Sequence, residues 1–159
     1  MNSTEYEAAN IEEWQNDEYF ATRNLNDTLR VAQFKLDKDF INKFASSGVI
    51  CDVGCSTGEF MKFMKWDGEI YGMEINVKAI EIAKEFINFE KNIFTETDFF
   101  DVVVFKGTIQ HVDIPFQMIK KAYTSLKSGG HIIFLSTPNR DSLLYKIKKD
   151  LPLLDWKLN

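Results

Sequence analysis

The hydrophobic residues between positions 25 and 44 recur every three or four residues, which predicts an amphipathic helix. The "SSG" at 46–48 predicts the end of this helix. The short apolar run "VICDV" at 49–53 then predicts a strand that is covered on both faces. The residues predicted to form the inward stripe of the helix are Leu25, Leu29, Ala32, Leu36, Phe40 and Phe44.

The alternation of helix and strand continues along the rest of the chain. Each further segment shows either a short apolar run, typical of a strand, or an apolar residue every three to four positions, typical of a helix. The predicted segments are helix 59–65 capped by Ser56 or Thr57, strand 69–75, helix 76–87 capped by Asn76, a weak strand 92–96, strand 101–105, helix 115–128 stopped by Gly129, strand 131–137 and helix 140–149. The predicted inward residues of helices 76–87 and 115–128 are Val77, Ile80, Ala83 and Ile87, and Phe116, Ile119, Tyr123 and Leu126.

This order of elements predicts an α/β fold with a mostly parallel sheet. We expect a Rossmann-like, doubly wound sheet of about five strands with helices on both faces. No repeat or linker divides the 159 residues, so we expect a single domain over 1–159. Its parts are an acidic and aromatic segment at 1–24, a core at 25–140 and a C-terminal helix and tail at 141–159. In such sheets ligands bind beyond the carboxyl ends of the strands.

Charge and composition exclude several classes of function. The formal net charge of −5 argues against a general affinity for nucleic-acid phosphates. No apolar run approaches the ~18 residues of a membrane span, and the polar, acidic start does not resemble a signal peptide. Cys51 and Cys55 have no second Cys or His pair to complete a zinc site, so no metal is expected. We expect a cytoplasmic protein with reduced cysteines.

The stretch "ICDVGCSTG" at 50–58 joins the first predicted strand to the next helix. Gly54 permits a sharp turn and lets a ligand lie against the backbone, while Gly58 clears the way to the unpaired amides at the helix start. Asp52 enters from the end of the strand, where a carboxylate can accept hydrogen bonds from an ammonium group or order water around it. The stretch therefore predicts a ligand site.

Glu74 ends the second predicted strand, 22 residues after Asp52. A carboxylate at that position can accept the hydroxyl protons of a ribose, so the loop and the acid together predict a cofactor that contains a nucleoside. The G-x-G-x-x-G fingerprint of dinucleotide sites fails, because Ser56 and Glu59 stand where it requires glycine. The alternative is a structural turn with a surface glutamate.

The stretches "CDVGCSTGEF", "IYGMEINVKAIEIAKE" and "FFDVVVFKGTIQHVDIPFQMIKKAYTSLKSGGHIIFLSTPN" resemble class I S-adenosylmethionine-dependent methyltransferases. The resemblance runs from about Val49 to Arg140. It is closest to the quinone-type O-methyltransferases, through the histidine after the fourth strand and the "STPNR" after the fifth. It implies S-adenosyl-L-methionine as the cofactor and methyl transfer to a small molecule, at oxygen.

The resemblance also implies a role for each matching residue. Asp52 and Gly54 lie beside the methionine part, Gly58 opens the helix, Glu74 holds the ribose, Ile75 packs on the adenine, and Lys106 and Gly107 lie beside the sulfonium end. Cys55, next to Gly54, is a further candidate for cofactor binding. Glu96, Thr97 and Asp98 are candidates for holding the adenine amino group, and the choice among them stays open.

The two histidines are expected at opposite rims of the sheet. His111 follows the fourth predicted strand on the ligand side, where it could act as general base for a substrate hydroxyl or could only brace the loop. His131 begins the next strand and is expected to be structural. The reaction demands little beyond alignment, because a sulfonium methyl group is already activated.

The chain departs from the family pattern in three places. Ser56 stands where many members have glycine, the segment between the third and fourth strands is short, and the two strands that usually follow are absent before the final "LPLLDWKLN". A truncated piece, a natural short form and a homodimer that covers the bare edge of strand 131–137 are all open explanations. A cofactor-binding or interaction module without turnover is therefore the alternative to an enzyme.

Overall fold

The computed structural model of the chain describes residues 28–137. The predicted segment 1–24 and the predicted helix 140–149 lie outside the described residues. The helices are α1 (Thr28–Ile41), α2 (Glu59–Met64), α3 (Val77–Ala83) and α4 (Pro115–Ser125), with a 3-10 turn at Ile109–His111. The strands are β1 (Ser47–Val53), β2 (Asp67–Met73), β3 (Phe100–Lys106) and β4 (Leu126–Leu135).

The four strands form one parallel sheet in the order β2-β1-β3-β4. After β2 the chain crosses to the other side of β1, so the direction of winding reverses between β1 and β3. Ligands of open α/β sheets bind at this reversal, beyond the carboxyl ends of the strands. The predicted doubly wound parallel architecture is confirmed. Within 28–137, no helix has the length and apolar character needed to cross a membrane.

The central strand β3 is buried on both faces of the sheet. Val102 and Val104 of β3 pack in one hydrophobic cluster with Phe34 of α1, while Val103 and Phe105 pack in a second cluster with Met118 of α4. Successive side chains of a strand point to opposite faces, and so the central part of a strand between two layers of helices is apolar at consecutive positions. This explains the continuous apolar run in β3.

The strand predicted at 92–96 is wrong. Residues 92–96 form a turn in which the backbone amides of Thr95 and Glu96 donate to the carbonyl of Asn92, at 3.2 and 3.1 Å. The side chain of Asn92 accepts a further hydrogen bond from Phe94 N at 2.9 Å. Asparagine favours such turns because its side chain bonds to the backbone nearby, in competition with strand pairing.

In place of a strand, the outer edge of β2 pairs with the described part of the chain only at a single bridge, formed by Asn88. Asn88 N donates to Ile70 O at 2.9 Å, and Gly72 N donates to Asn88 O at 3.0 Å. The described sheet therefore has four strands rather than about five. The chain passes beside β2 and turns away before a ladder can form.

Helices α1 and α4 bury faces other than the predicted ones. Leu29 and Leu36 of α1 are 81% and 65% exposed, and Phe116 and Tyr123 of α4 are 77% and 73% exposed. In each helix a second set of residues has the same spacing, so periodicity alone could not choose between the two stripes. The buried residues are Phe34, Asp37 and Ile41 in α1, Ala79 and Ala83 in α3, and Met118, Ala122 and Ser125 in α4.

The predicted helix boundaries hold at some ends and fail at others. Asn76 caps α3 as predicted, with its Oδ1 accepting from Ala79 N at 3.1 Å. The N-cap of α2 is Gly58, with no hydrogen bond from a side chain, so the predicted capping by Ser56 or Thr57 is wrong. Helix α4 ends at Ser125 and not at 128, because β4 begins at the next residue.

Candidate cofactor site

Asp52 lies near the carboxyl end of β1 and is only 2% exposed. Its Oδ1 has no hydrogen-bond partner anywhere in the part of the chain that the structure describes. Burial raises the pKa of Asp52 to about 7; the cation of Lys106 opposes this shift, and the carboxylate of Glu74 adds to it. A buried polar atom without a partner is costly. Asp52 is therefore suited to receive a donor group from a ligand.

The loop after β1 is shaped by contacts within the protein. Gly54 has a φ of +77°, and its amide donates to Met73 O at 2.7 Å. A Cβ at this position would lie 2.4 Å from Thr108 Oγ1. At Gly58 an added Cβ would lie 2.7 Å from the ring of Phe86. The space that we assigned to a ligand beside these glycines is thus filled by the protein's own side chains.

Between the two glycines, the loop buries three small residues to different extents. The Cys55 side chain is 6% exposed, and burial raises the pKa of its thiol, which makes it a packing residue rather than a nucleophile. Ser56 has a φ of +52°, in the region that favours glycine. Thr57 Oγ1 is buried and has no hydrogen-bond partner among the described residues. It is a second polar atom available to a ligand.

Glu74 follows β2 and binds the glycine loop directly. Its Oε2 accepts from Ser56 N at 2.8 Å, and its Oε1 accepts from Ile75 N at 2.8 Å and Asn76 N at 2.9 Å. A carboxylate has about four acceptor positions, so about one remains for a ribose hydroxyl unless a backbone bond is released. Ile75 beside it is 43% exposed and offers an apolar surface.

The loop after β3 forms the other side of the candidate site. Lys106 Nζ pairs with the carboxylate of Asp37 and donates to Ser136 Oγ at 3.2 Å. Gly107 has a φ of +65°, and an added Cβ would meet nothing closer than 3.9 Å. His111 N donates to Thr108 O at 2.9 Å in the 3-10 turn. The structure thus places Lys106, Gly107 and His111 on the same rim as Asp52 and Gly54.

Glu96 and Thr97 lie towards the opposite rim. Asp98 N donates to Thr124 O at 3.2 Å and Phe99 N donates to Ser125 O at 2.8 Å, at the point where α4 ends and β4 begins. The seven residues of β3 separate this rim from the carboxyl end by about 20 Å. The structure does not bring Glu96, Thr97 or Asp98 to the loop, so their position does not support the predicted adenine role.

A family model described as "Methyltransferase domain" matches residues 19–159. That span is most of the chain, and the described fold agrees with it. The chain belongs to the class I S-adenosylmethionine-dependent methyltransferase family. The cofactor of this family is S-adenosyl-L-methionine.

Individual relatives of this methyltransferase chain differ in their acceptors. The yeast (Saccharomyces cerevisiae) "Ubiquinone biosynthesis O-methyltransferase, mitochondrial" is 31% identical over 106 residues, which are 58% of this chain and 34% of that protein. Arabidopsis thaliana "Phosphoethanolamine N-methyltransferase 3" is 26% identical over 125 residues, or 67% of this chain and 26% of that protein. The chain thus spans about a third or less of these relatives.

A solved structure from Thermotoga maritima, described as a SAM-dependent methyltransferase and possible histamine N-methyltransferase, shares the fold. The TM-score is 0.62 at 23% sequence identity, over 86% of this chain and 67% of that one. Similarity at this level shows the methyltransferase fold and does not identify a substrate.

The residues of this methyltransferase chain fit the family's cofactor at its two ends. The unpartnered Asp52 Oδ1 and Thr57 Oγ1 suit the polar amino-acid end, while the remaining acceptor of Glu74 and the exposed Ile75 suit the nucleoside end. Sequence reasoning missed Thr57, which looked like a helix cap. It also missed Asp37, because α1 buries the stripe of Phe34, Asp37 and Ile41 instead of the predicted one.

Proposed function

We propose that this chain transfers a methyl group from S-adenosyl-L-methionine to a small molecule, at an oxygen atom. One observation carries the proposal: the hydrogen bond from Ser56 N to Glu74 Oε2, at 2.8 Å, joins the glycine loop to the acid at the carboxyl edge of the sheet. Asp52 lies buried beside this loop with an acceptor to spare. These are the groups that a nucleoside and an amino acid in one molecule require.

Each residue of the site has a proposed task. Asp52 and Thr57 receive the amino-acid end of the cofactor, Glu74 accepts from the ribose, and Ile75 covers one side of the adenine. The bound cofactor supplies an activated methyl group on a cationic sulfur. What remains for the chain is to align the acceptor oxygen with the methyl–sulfur bond and to exclude water, which can supply much of the rate acceleration.

His111 is proposed as the general base that takes the proton of the acceptor hydroxyl. Its turn follows β3 on the ligand rim, and its Nε2 lies 3.3 Å from Gln110 Nε2. The alternative is that it only braces the loop. Replacing His111 with Gln should lower kcat and remove a limb near neutral pH from the pH–rate profile. An unchanged profile would leave the bracing role.

Oxygen is proposed as the acceptor atom because several relatives are named ubiquinone biosynthesis O-methyltransferases. A relative named for an N-methyltransferase keeps nitrogen as the competitor. The test compares transfer of labelled methyl to paired acceptors, such as a catechol and an aniline of the same size. Labelling of the amines alone would contradict the oxygen proposal.

A cofactor-binding module without turnover is the second candidate. It is favoured by residues 92–96, which form a turn where the sequence predicts a strand. Calorimetry with S-adenosylmethionine and S-adenosylhomocysteine separates the candidates when combined with the acceptor panel. Binding of both ligands without transfer to any acceptor supports the module, whereas absence of binding excludes both candidates.

Self-association and location complete the proposal. Among the described residues β4 pairs only with β3, and Phe134 is 42% exposed, so the free edge of β4 could be covered by a second copy. A molar mass of one chain by light scattering, at all concentrations tested, would contradict the homodimer.

A cytoplasmic location is supported by the two free, buried cysteines, although the yeast relative is named as mitochondrial.

A further inference from the structure

A buried ion pair beside the glycine loop joins Lys106 to Asp37, an acid that lies outside the motifs described above. Lys106 Nζ contacts the Asp37 carboxylate, and the two side chains are only 15% and 7% exposed. Asp37 comes from α1, whereas Lys106 ends β3. Charged side chains are rarely buried to this extent unless they are paired, because their desolvation is costly.

The pair is held in one arrangement by its neighbours. The other oxygen of Asp37, Oδ1, accepts from Gln33 Nε2 at 2.8 Å. The Lys106 ammonium lies 5.2 Å from the ring centre of Phe34 and 5.1 Å from that of Phe60, within the range of cation–π attraction. The position of the ammonium is therefore set by α1 and α2 together and not by Lys106 alone.

The sheet register brings this ammonium close to the loop. Val53 pairs with Phe105, and the next residue of each chain segment is Gly54 or Lys106. The backbones of neighbouring strands lie about 5 Å apart. Thr108, two residues further, occupies the space at Gly54. The cation of Lys106 also acts on the Asp52 carboxyl, where it opposes the rise in pKa caused by burial. A ligand that binds at Asp52 therefore lies within range of this charge.

We propose that Asp37 is a positioning residue that neutralises Lys106, so that the site accepts a cofactor with a positively charged sulfur. The inference rests on the proposed function. S-adenosylmethionine carries a sulfonium cation, whereas S-adenosylhomocysteine has a neutral thioether at the same atom. An unpaired ammonium would repel the first ligand and leave the second almost unaffected. The ion pair thus sets the ratio of the two affinities.

The test measures the dissociation constants of both ligands by calorimetry on the full chain. Asp37→Asn keeps the shape and leaves Lys106 unbalanced, so it should weaken S-adenosylmethionine about tenfold relative to S-adenosylhomocysteine. Lys106→Met should shift the ratio in the opposite direction. The double variant should restore the wild-type ratio within about twofold, because both charges are then absent.

Asp39→Asn is the matched control, since Asp39 is an exposed acid on the same helix and should leave the ratio unchanged. Should Asp37→Asn fail to fold, Lys106→Met and the double variant still test the opposite shift and its reversal. Equal weakening of both ligands in Asp37→Asn, or an unchanged ratio, overturns the inference alone. If the wild-type chain binds neither ligand, the proposed function and the inference are both overturned.

Discussion

Asp52 should make the protein less stable as the pH rises. In the fold its pKa is about 7, raised by burial from an ordinary value of 3.8. Between these two values the folded chain holds a proton that the unfolded chain releases. By linkage, stability is then highest below the unfolded pKa and falls as the pH rises through the folded one. Asp52→Asn removes this titration and keeps the size of the side chain.

The size of the effect follows from the two pKa values. The full shift corresponds to about 4 kcal/mol of unfolding free energy, since each unit contributes about 1.4 kcal/mol. Of this, about 3 kcal/mol is lost between pH 5 and pH 8, because the unfolded carboxyl is already mostly ionised at pH 5. Asp52→Asn should thus gain about 3 kcal/mol relative to wild type over that interval, while weakening cofactor binding.

Urea unfolding of both proteins at pH 5 and pH 8, without cofactor, measures this difference. Asp67→Asn, at an exposed position at the start of β2, is the matched control and should show no such pH-dependent gain. A stability difference between wild type and Asp52→Asn that stays constant between the two pH values would refute the reasoning. It would mean that Asp52 is ionised in the fold throughout this range.

Three further predictions concern the loop and the acid. Glu74→Ala should raise the calorimetric dissociation constant of S-adenosylmethionine at least several-fold, with the exposed Glu85→Ala as control; equal affinities would refute the ribose role. Ser56→Gly should raise the free energy of unfolding in urea by between about 0 and 1 kcal/mol. Glycine relieves the strain of the +52° φ, but its greater freedom in the unfolded chain offsets part of this gain. A loss of more than about 1 kcal/mol would contradict this reasoning. Gly54→Ala should lower the free energy of unfolding, measured in urea, by at least about 2 kcal/mol more than Gly107→Ala. Both glycines have a positive φ, but only at Gly54 would the added Cβ contact Thr108. Similar losses in the two variants would show that the loop can move to accommodate the Cβ.

The regular parts of the fold could be predicted because their signal is local. The continuous apolar run of β3 and the "ICDVGCSTG" turn require no knowledge of distant residues. The buried stripe of α1 could not be predicted, because the stripe of Leu29 and Leu36 has the same period as that of Phe34 and Ile41. Which stripe is buried depends on the direction from which the helix meets the sheet.

The site divides in the same way. The order of strand, glycine loop, strand and acid placed Asp52 and Glu74 at one edge, and the structure joins that loop and acid through Ser56. The adenine candidates failed because a turn, not a strand, follows Asn88, so Glu96 and Thr97 fall towards the far rim. The partner of Lys106 could not be found, because Asp37 lies 69 residues away along the chain.

The sequence alone determined the α/β class, the glycine turn, the capping of α3 by Asn76 and the family to which the chain is similar. The first three follow from backbone geometry and the period of apolar side chains over a few residues, whereas the family follows from the resemblance of the quoted motifs. Only the tertiary structure decided which helix faces are buried, that Thr108 fills the space at Gly54, and that Asp37 balances Lys106. These depend on contacts between segments far apart in the chain, where each side chain competes for space and charge with neighbours that local sequence does not specify.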